Sequence, residues 1–285
     1  MAEPADPRVA VYIDFDNIVI SRYDQVHGRN QFQRDRSRGS AGEPDAEFVR
    51  KLEAATVDVG SIIDFASSFG TLVLTRAYAD WSAPVNAGYR GQLVARAVDL
   101  VQLFPAAAYA KNGADIRLAV DAVEDMFRLP DLTHVVIVAG DSDYVPLAQR
   151  CKRLGRYVVG IGVAGSTARS LAAACDEFVS YDALPNEPGA EREPEQQAED
   201  AEPERDQQAD ATRLLERALR IGHEKDDADW LHSSAVKTQM KRMDPSFSER
   251  ALGYRSFSDF VKSRSAVAEL DESSTARLIR SVQPS

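Results

Sequence analysis

The chain has 285 residues, 44% of them hydrophobic, and a formal net charge of −11. This length has room for two domains of roughly 100–200 residues each, and no stretch approaches the ~18 uninterrupted apolar residues of a membrane span. Because the N-terminus also lacks the basic start and apolar middle of a secretory signal, we expect a cytoplasmic protein without a membrane partner.

Short apolar runs rich in β-branched residues predict the strands of residues 1–184. Four runs are strong, at residues 9–13, 71–78, 135–139 and 157–163, and two are weaker, at residues 100–108 and 178–181. A continuous apolar run of this kind is typical of a strand that is buried on both faces.

Helical patterns separate these strands, at residues 46–69, 89–98, 114–128, 144–154 and 166–174. The alternation of strands and helices predicts an α/β domain in which helices cover both faces of a mostly parallel sheet. Residues 25–44 are polar and have no periodicity. They are either a disordered insertion or a basic loop that grips a substrate.

The acidity of the chain is concentrated in residues 185–210, which hold ten acidic and two basic side chains. This segment, rich in Glu, Gln and Pro, predicts a disordered linker. Residues 211–285 hold thirteen basic and eleven acidic side chains, and they predict a small, mainly helical second domain. Its helices are expected at residues 211–221, at 233–243, from Ser248 or Glu249 onwards, and at 256–263.

Aspartates end predicted strands or begin a predicted helix at five positions, namely Asp14, Asp16, Asp115, Asp141 and Asp143. In open α/β sheets, ligands bind at the carboxyl ends of the strands. Carboxylates gathered there repel each other unless a cation lies among them, and Mg²⁺ or Mn²⁺ suits such an all-oxygen site. The pattern therefore predicts metal-dependent phosphate chemistry.

Several of these acids allow a second interpretation. Asp16 either binds metal or caps the next helix, and Asp143 either binds metal or caps a helix. Asp115 can also be an ordinary acid at a helix start, where the helix dipole favours negative charge. Asp121 lies about 240° further round the same helix, so it is a weaker candidate than Asp115.

Three further polar side chains are candidates for contact with substrate phosphate. Asn17 either binds phosphate through its amide or stabilises a turn. Lys111 either holds a phosphate or is a solvated surface lysine. Ser142 follows a predicted strand, and a helix that begins there would present backbone N–H groups to an anion.

Three motifs, at residues 11–17, 111–121 and 140–147, resemble the NYN family of PIN-like nucleases, in particular its LabA-like bacterial branch. Their order and spacing match over most of residues 8–182. The string Gly-Asp-Ser-Asp-Tyr-Val-Pro-Leu in the last motif is the most specific part of the likeness.

This resemblance implies a Rossmann-like PIN fold and cleavage of RNA, expected to be endonucleolytic, that depends on Mg²⁺ or Mn²⁺. It assigns metal binding and catalysis to Asp14, Asp115, Asp141 and Asp143.

Residues 230–237 and 244–260 resemble the LOTUS domain, also called OST-HTH, and the likeness covers roughly residues 211–282. It implies a winged-helix fold whose expected partner is RNA, single-stranded or structured, although some such domains bind proteins. The candidates for phosphate contact are basic side chains, namely Lys237, Lys241, Arg242, Arg250 and Arg255.

Two other functions fit parts of the sequence. In a haloacid-dehalogenase-type phosphatase, Asp14 would attack phosphorus, Asp16 would act as general acid, and Thr75 would end a later strand. The acids after Gly140 are spaced too closely for that family, and Asp115 would have no role. The other alternative is an RNA- or protein-binding regulator whose acidic cluster is vestigial.

Overall fold

The computed structural model describes residues 6–37, 46–104, 113–184, 203–226, 228–244, 247–273 and 276–282. The chain separates into two compact units, Met1–Leu184 and Pro185–Ser285. No helix within these described stretches is long and apolar enough to cross a membrane.

A parallel sheet forms the centre of the first unit. Its strands are β1 (Arg8–Asp14), β2 (Thr71–Ala79), β3 (Asp99–Gln102), β4 (His134–Val138), β5 (Tyr157–Gly162) and β6 (Glu177–Ser180). They pair in the order β3-β2-β1-β4-β5-β6. The six predicted strands are confirmed, but β3 ends earlier than predicted, and residues 105–108 of that run lie outside the described residues.

Residues 9–13 of the central strand β1 are apolar because both faces of this strand are buried. Val9, Val11 and Ile13 pack into the hydrophobic layer on one face of the sheet. Ala10 and Tyr12 pack into the layer on the other face. The chain leaves β1 towards β2 on one side and later returns to β4 on the other, so the strand order reverses here. In open α/β sheets this reversal creates a crevice at the carboxyl ends of the two strands.

Helices cover both faces of this sheet. They are α1 (Phe15–His27), α2 (Gln31–Arg36), α3 (Ala46–Ala54), α4 (Val59–Ser67), α5 (Pro84–Ala87), α6 (Arg90–Ala95), α7 (Gly113–Arg128), α8 (Val145–Arg153) and α9 (Arg169–Ala174). Residues 46–69, predicted as one helix, form two. The reason is Asp58, whose carboxylate accepts a hydrogen bond from the Ser61 backbone N–H at 3.2 Å and caps α4.

The polar segment 25–44 is largely helical over its described residues, 25–37. Helix α1 extends into it, and α2 packs through Phe32, whose ring centroid lies 5.4 Å from that of Tyr23. The buried carboxylate of Asp35 accepts hydrogen bonds from the Tyr23 hydroxyl at 2.7 Å and from Lys51 at 3.0 Å. The described part, residues 25–37, is therefore not a disordered insertion, and residues 38–44 lie outside the described residues.

The second unit combines three helices with a small antiparallel sheet over the residues that the structure describes. The helices are α10 (Pro203–Asp226), α11 (Ser233–Met243) and α12 (Phe257–Lys262), and the strands are β7 (Leu231–His232), β8 (Ala268–Asp271) and β9 (Leu278–Ser281). The strand order is β7-β9-β8, and the β8–β9 hairpin forms the wing. The predicted winged-helix class is confirmed.

Helix α10 begins eight residues earlier than predicted, so the proposed linker 185–210 is wrong at its end. Gln208 accepts hydrogen bonds from Arg264 at 2.7 Å and from the Tyr254 hydroxyl at 3.2 Å. The acidic composition of the segment gave no indication that Gln208 packs in this way. Residues 185–202 lie outside the described residues. A helix from Ser248 or Glu249 is also wrong, because residues 249–253 form turns.

Candidate metal centre

Asp14 lies at the carboxyl end of β1 and also caps α1. Its Oδ1 atom accepts a hydrogen bond from the backbone N–H of Asn17 at 3.1 Å. The hydroxyl of Tyr144, in the turn after β4, donates to its Oδ2 atom at 2.8 Å. Because only 4% of Asp14 is exposed, these two donors largely replace water around its carboxylate.

Burial raises the pKa of Asp14 to about 7, because the charged form loses its hydration. The hydrogen bonds from Tyr144 and Asn17 lower this pKa, whereas the negative charges of Asp115 and Asp16 raise it. A carboxylate in this position gains from a nearby cation.

Asp115 lies in the first turn of α7 and is half-buried. Burial is the largest influence that raises the pKa of its carboxyl. A hydrogen bond with Tyr144 lowers that pKa, and the charges of Asp141 and Asp143 raise it. Asp115 therefore links Asp14 to the acids after β4, as expected of side chains at one edge of the sheet.

Asp141 follows β4 and caps a short 3₁₀ turn, Ser142–Tyr144. Its Oδ1 atom accepts a hydrogen bond from the Asp143 backbone N–H at 3.1 Å, so Asp141 rather than Asp143 is the cap. Asp143 is exposed. The Ser142 hydroxyl lies 3.4 Å from the same Oδ1 atom. Helix α8 begins at Val145, one residue after its predicted start, and Ser142 lies in the turn before this helix.

Asn17 makes a structural contact, and its contact with phosphate stays a prediction. Its amide oxygen accepts a hydrogen bond from the backbone N–H of Gly140 at 3.0 Å. This contact joins the turn after β1 to the end of β4. It therefore fixes the spacing of the two strand ends that carry Asp14 and Asp141.

Asp16 has partners of its own. Asn86, which is 1% exposed, donates to its Oδ1 atom at 2.6 Å, and the Asp80 backbone N–H donates to its Oδ2 atom at 3.4 Å. Burial raises the pKa of Asp16, while the Asn86 hydrogen bond and the charge of Arg36 lower it. Since Asp14 caps α1, the alternative capping role of Asp16 is wrong.

Asp121 faces β2. It accepts a hydrogen bond from the Tyr78 hydroxyl at 3.1 Å, and both of its oxygens lie 3.0 Å from the Arg117 Nε atom. These contacts account for Asp121 without a metal ion. Lys111 lies outside the described residues, so its phosphate contact stays a prediction.

Sequence reasoning missed Tyr144 and Asn86 as members of this site. Burial, and then the charges of Asp14 and Asp115, raise the pKa of the Tyr144 hydroxyl, so it remains protonated and donates. Its position directly after Asp143 could have indicated that Tyr144 belongs to the site, but an aromatic residue at this position is equally typical of a hydrophobic core. Asn86 carried no signal, because it belongs to none of the motifs.

The donor set of this cluster fits a divalent cation, since carboxylate oxygens are the ligands that Mg²⁺ and Mn²⁺ prefer. The raised pKa values of Asp14 and Asp115 have the same origin, namely burial and like charge. Within the described part of the chain, no three Asp, Glu, His or Cys side chains already converge closely enough to hold an ion. A Mg²⁺ ion commonly keeps several waters and binds through one or two carboxylates, so two of these side chains could hold it.

Comparison with known families agrees with this fold. The family model of the NYN domain matches residues 8–182. The chain belongs to the NYN domain family. The model of the OST-HTH/LOTUS domain matches residues 205–280, which include most of α10. We refer to the two units as the NYN domain and the OST-HTH domain.

Individual relatives of the chain are distant. An uncharacterized protein of Methanocaldococcus jannaschii is 26% identical over 113 residues, which cover 37% of this chain and 40% of that protein. The chain thus spans less than half the length of this relative. A structure of unknown function from Vibrio parahaemolyticus has 20% identity and a TM-score of 0.47, and covers 63% of this chain and 96% of that one. An uncharacterized Nitrosomonas europaea structure has 24% identity and a TM-score of 0.23, and covers 35% and 94%.

The strand register contradicts one requirement of the phosphatase alternative. Thr75 pairs with Val11 in the middle of β2 and is buried, whereas the alternative needed it at a strand end. In the NYN domain the residue level with Asp14 on β2 is Tyr78. Assignment to the LabA-like branch of the family stays a prediction.

The basic side chains of the OST-HTH domain differ in accessibility. Three of the predicted phosphate contacts are exposed, namely Lys241, Arg250 and Arg255. Lys237 is half-buried, forms an ion pair with Glu249, and lies 5.8 Å from the centroid of the Phe257 ring. Arg242 is also half-buried. The exposed side chains are therefore the stronger candidates for contact with a polyanion.

Proposed function

We propose that this protein is a Mg²⁺- or Mn²⁺-dependent endoribonuclease. The observation that carries the proposal is the buried carboxylate of Asp14, held by Tyr144 at the switch point of the sheet and close enough to Asp115 for their charges to interact. Membership of the NYN domain family supports a nuclease-like activity. The OST-HTH domain supports RNA as the substrate.

Four side chains, Asp14, Asp115, Asp141 and Asp143, would hold the cation. When bound, a divalent cation supplies charge neutralisation at the phosphate and a water of lowered pKa. Tyr144 keeps Asp14 oriented and remains protonated itself. The exposed position of Asp143 leaves the edge of the site open to a long polymer.

RNA capture would depend on the OST-HTH domain. The NYN domain is net acidic, so it attracts a polyanion poorly, whereas the OST-HTH domain exposes Lys241, Arg250 and Arg255. Tethering the two domains in one chain raises the effective concentration of captured RNA at the acidic cluster. We expect single-stranded or structured RNA to be the ligand.

A non-catalytic regulator that binds RNA or protein is the second candidate. The observation that favours it is the OST-HTH match over residues 205–280, since RNA binding by that domain does not require an active acidic cluster. A protein partner would then be expected to bind the OST-HTH domain.

Cleavage of end-labelled and internally labelled RNA by the full-length protein separates these functions. We expect Mg²⁺ or Mn²⁺ to support internal cleavage, and excess EDTA or Asp141→Asn to abolish it. Asp99→Asn is the matched control, because Asp99 is exposed on the edge strand β3, two strands away from β1, and should leave activity intact. RNA binding without any cleavage would support the regulator, and hydrolysis of a small phosphomonoester would support the phosphatase.

A further inference from the structure

An apolar stripe runs along the outer face of α7. Ile116, Val120 and Phe127 are 64%, 56% and 71% exposed, and Val123 is half-buried. The four positions are spaced alternately by four and three residues, so they form one line along the helix. We call these four residues the α7 stripe.

Three members of the α7 stripe, Ile116, Val120 and Phe127, lie outside the core of their own domain, whereas Val123 packs against the edge of that core. The buried side chains of α7, among them Leu118, Ala122 and Met126, lie on the opposite side of the helix and pack against the sheet. Single exposed apolar side chains are ordinary on protein surfaces, whereas a contiguous line of large ones marks an interaction surface.

The spacing of the α7 stripe matches the d and a positions of a coiled coil, where apolar residues alternate every three and four positions. Such a helix is complementary to a second copy of itself that runs in the opposite direction. Ile116 then packs against the partner's Phe127, and Val120 packs against the partner's Val123. The same surface is used on both subunits, as two-fold symmetry requires.

The charged side chains beside the stripe select this antiparallel direction. Arg117 and Glu124 flank the stripe on one side, and their side chains are 60% and 50% exposed. In the antiparallel pair, Arg117 faces the partner's Glu124, and Glu124 faces the partner's Arg117. A parallel pair would instead set Glu124 against the partner's Ala119. Arg117 already contacts Asp121, and Glu124 already contacts Arg128. A guanidinium has further N–H donors, and a carboxylate accepts from more than one donor, so the pair across the interface can still form.

We propose that α7 is the interface between two copies of this chain, paired antiparallel through the α7 stripe. The inference does not depend on the nuclease activity proposed above. A single helix pair buries less than the roughly 1,600 Å² of a standard interface, so we expect weak association with a dissociation constant of about 1–100 μM.

Sedimentation velocity of the full-length protein over a concentration series tests this. We expect the wild-type protein to shift from monomer to dimer as its concentration rises. Val120→Asp should raise the dissociation constant at least about tenfold, because the new carboxylate is buried without a partner. Val94→Asp is the matched control: Val94 is 62% exposed, and its neighbour Leu93 packs on the other face of the sheet. It should leave association unchanged.

A charge swap tests the direction of the pair. Arg117→Glu alone should weaken the dimer, since the new carboxylate faces the partner's Glu124, and adding Glu124→Arg should restore it. Thermal melts of each variant confirm that the chain is folded. A monomer at every concentration, or a dimer that Val120→Asp leaves intact, would overturn the interface. A double variant as weak as the single one would overturn the antiparallel pairing.

Discussion

The Tyr144 hydroxyl donates a hydrogen bond of 2.8 Å to the Oδ2 atom of Asp14 and so joins the turn after β4 to the end of β1. The two residues are 130 positions apart in the sequence, and both are buried. The contact orients a carboxylate that would otherwise be poorly solvated. It also links the Gly-Asp-Ser-Asp string to the first motif, in addition to the hydrogen bond between Asn17 and Gly140.

Tyr144→Phe should weaken cation binding while the fold is retained. Loss of the donor leaves Asp14 less oriented and raises its pKa further, so we expect Mn²⁺ affinity and RNA cleavage to fall about 10–100-fold, as for other residues that orient metal ligands. Calorimetric titration with Mn²⁺ and a cleavage assay measure this. Tyr157→Phe is the control, because Tyr157 is 40% exposed and lies 3.4 Å from Glu177. Equal Mn²⁺ affinity of Tyr144→Phe and wild type would contradict the role of Tyr144.

Asp14→Asn should stabilise the metal-free protein at high pH. The pKa of Asp14 is raised to about 7 in the folded state, above its unfolded value of about 3.9. Between these values the folded state binds more protons, so its stability falls as pH rises. Asparagine keeps an acceptor for Tyr144 but carries no charge. We expect the variant to exceed wild type in unfolding free energy by at least about 1 kcal/mol at about pH 8, and by much less at about pH 4.

Urea unfolding of both proteins at the two pH values measures this difference. Added Mn²⁺ should stabilise the wild type and leave Asp14→Asn nearly unchanged, which separates the cation from the buried charge. A wild-type protein that is more stable than the variant at high pH without metal would contradict the raised pKa.

The sheet was predictable from the sequence because each central strand is buried on both faces. Val9 to Ile13 alternate between two apolar layers, and a continuous apolar run records this burial directly. The end of the sheet was harder: β3 has only half-buried or exposed side chains, so its pattern was weak. Helix α2 was missed because its packing depends on one aromatic residue, Phe32, and one buried acid, Asp35, which is too little to produce a periodicity.

The acids of the site were predictable as a group, since strand ends of a parallel sheet meet at one edge. Their contacts were not, because they depend on distances between segments. Asn17 bonds Gly140, and Asn86 bonds Asp16, across 123 and 70 residues of sequence respectively. The position of Asn17 next to Asp16 in the sequence suggested contact with a ligand, whereas its amide oxygen accepts a hydrogen bond from Gly140 at the end of β4.

Arg36→Gln should weaken RNA binding to the NYN domain. Arg36 is exposed on α2, and its charge lowers the pKa of Asp16, so it lies near the acidic edge. We expect KM for RNA to rise about threefold to tenfold and kcat to change little, the equivalent of roughly 1 kcal/mol for an exposed charge. Arg34→Gln, exposed on the same helix, should change KM less. Equal effects of both variants would show that α2 contributes only net charge.

A double variant with Arg250→Glu and Arg255→Glu should lower RNA affinity without changing the rate of cleavage at saturating RNA. Both side chains are exposed on the OST-HTH domain, so the fold should be retained. We expect RNA affinity to fall. The slope of log affinity against log salt concentration should decrease in magnitude by about 0.7 for each phosphate contact with a single strand that is lost. Cleavage at saturating RNA should be unchanged. Fluorescence anisotropy over a salt series and single-turnover cleavage measure the two effects, and a loss of saturated turnover with intact affinity would contradict this division.

The OST-HTH domain should prefer single-stranded or structured RNA to duplex DNA. Helix α12 follows α11 and precedes the β8–β9 hairpin, so it holds the place of the recognition helix, from which a major-groove reader would present Arg and Asn side chains. Its sequence, Phe-Ser-Asp-Phe-Val-Lys, contains one Lys and neither Arg nor Asn. The exposed lysines and arginines instead suit recognition of backbone and shape, which is typical of RNA. Competition of a structured RNA, an unstructured RNA and duplex DNA for the full-length protein at matched salt tests this, and tightest binding to the duplex would overturn the assignment of RNA to this domain.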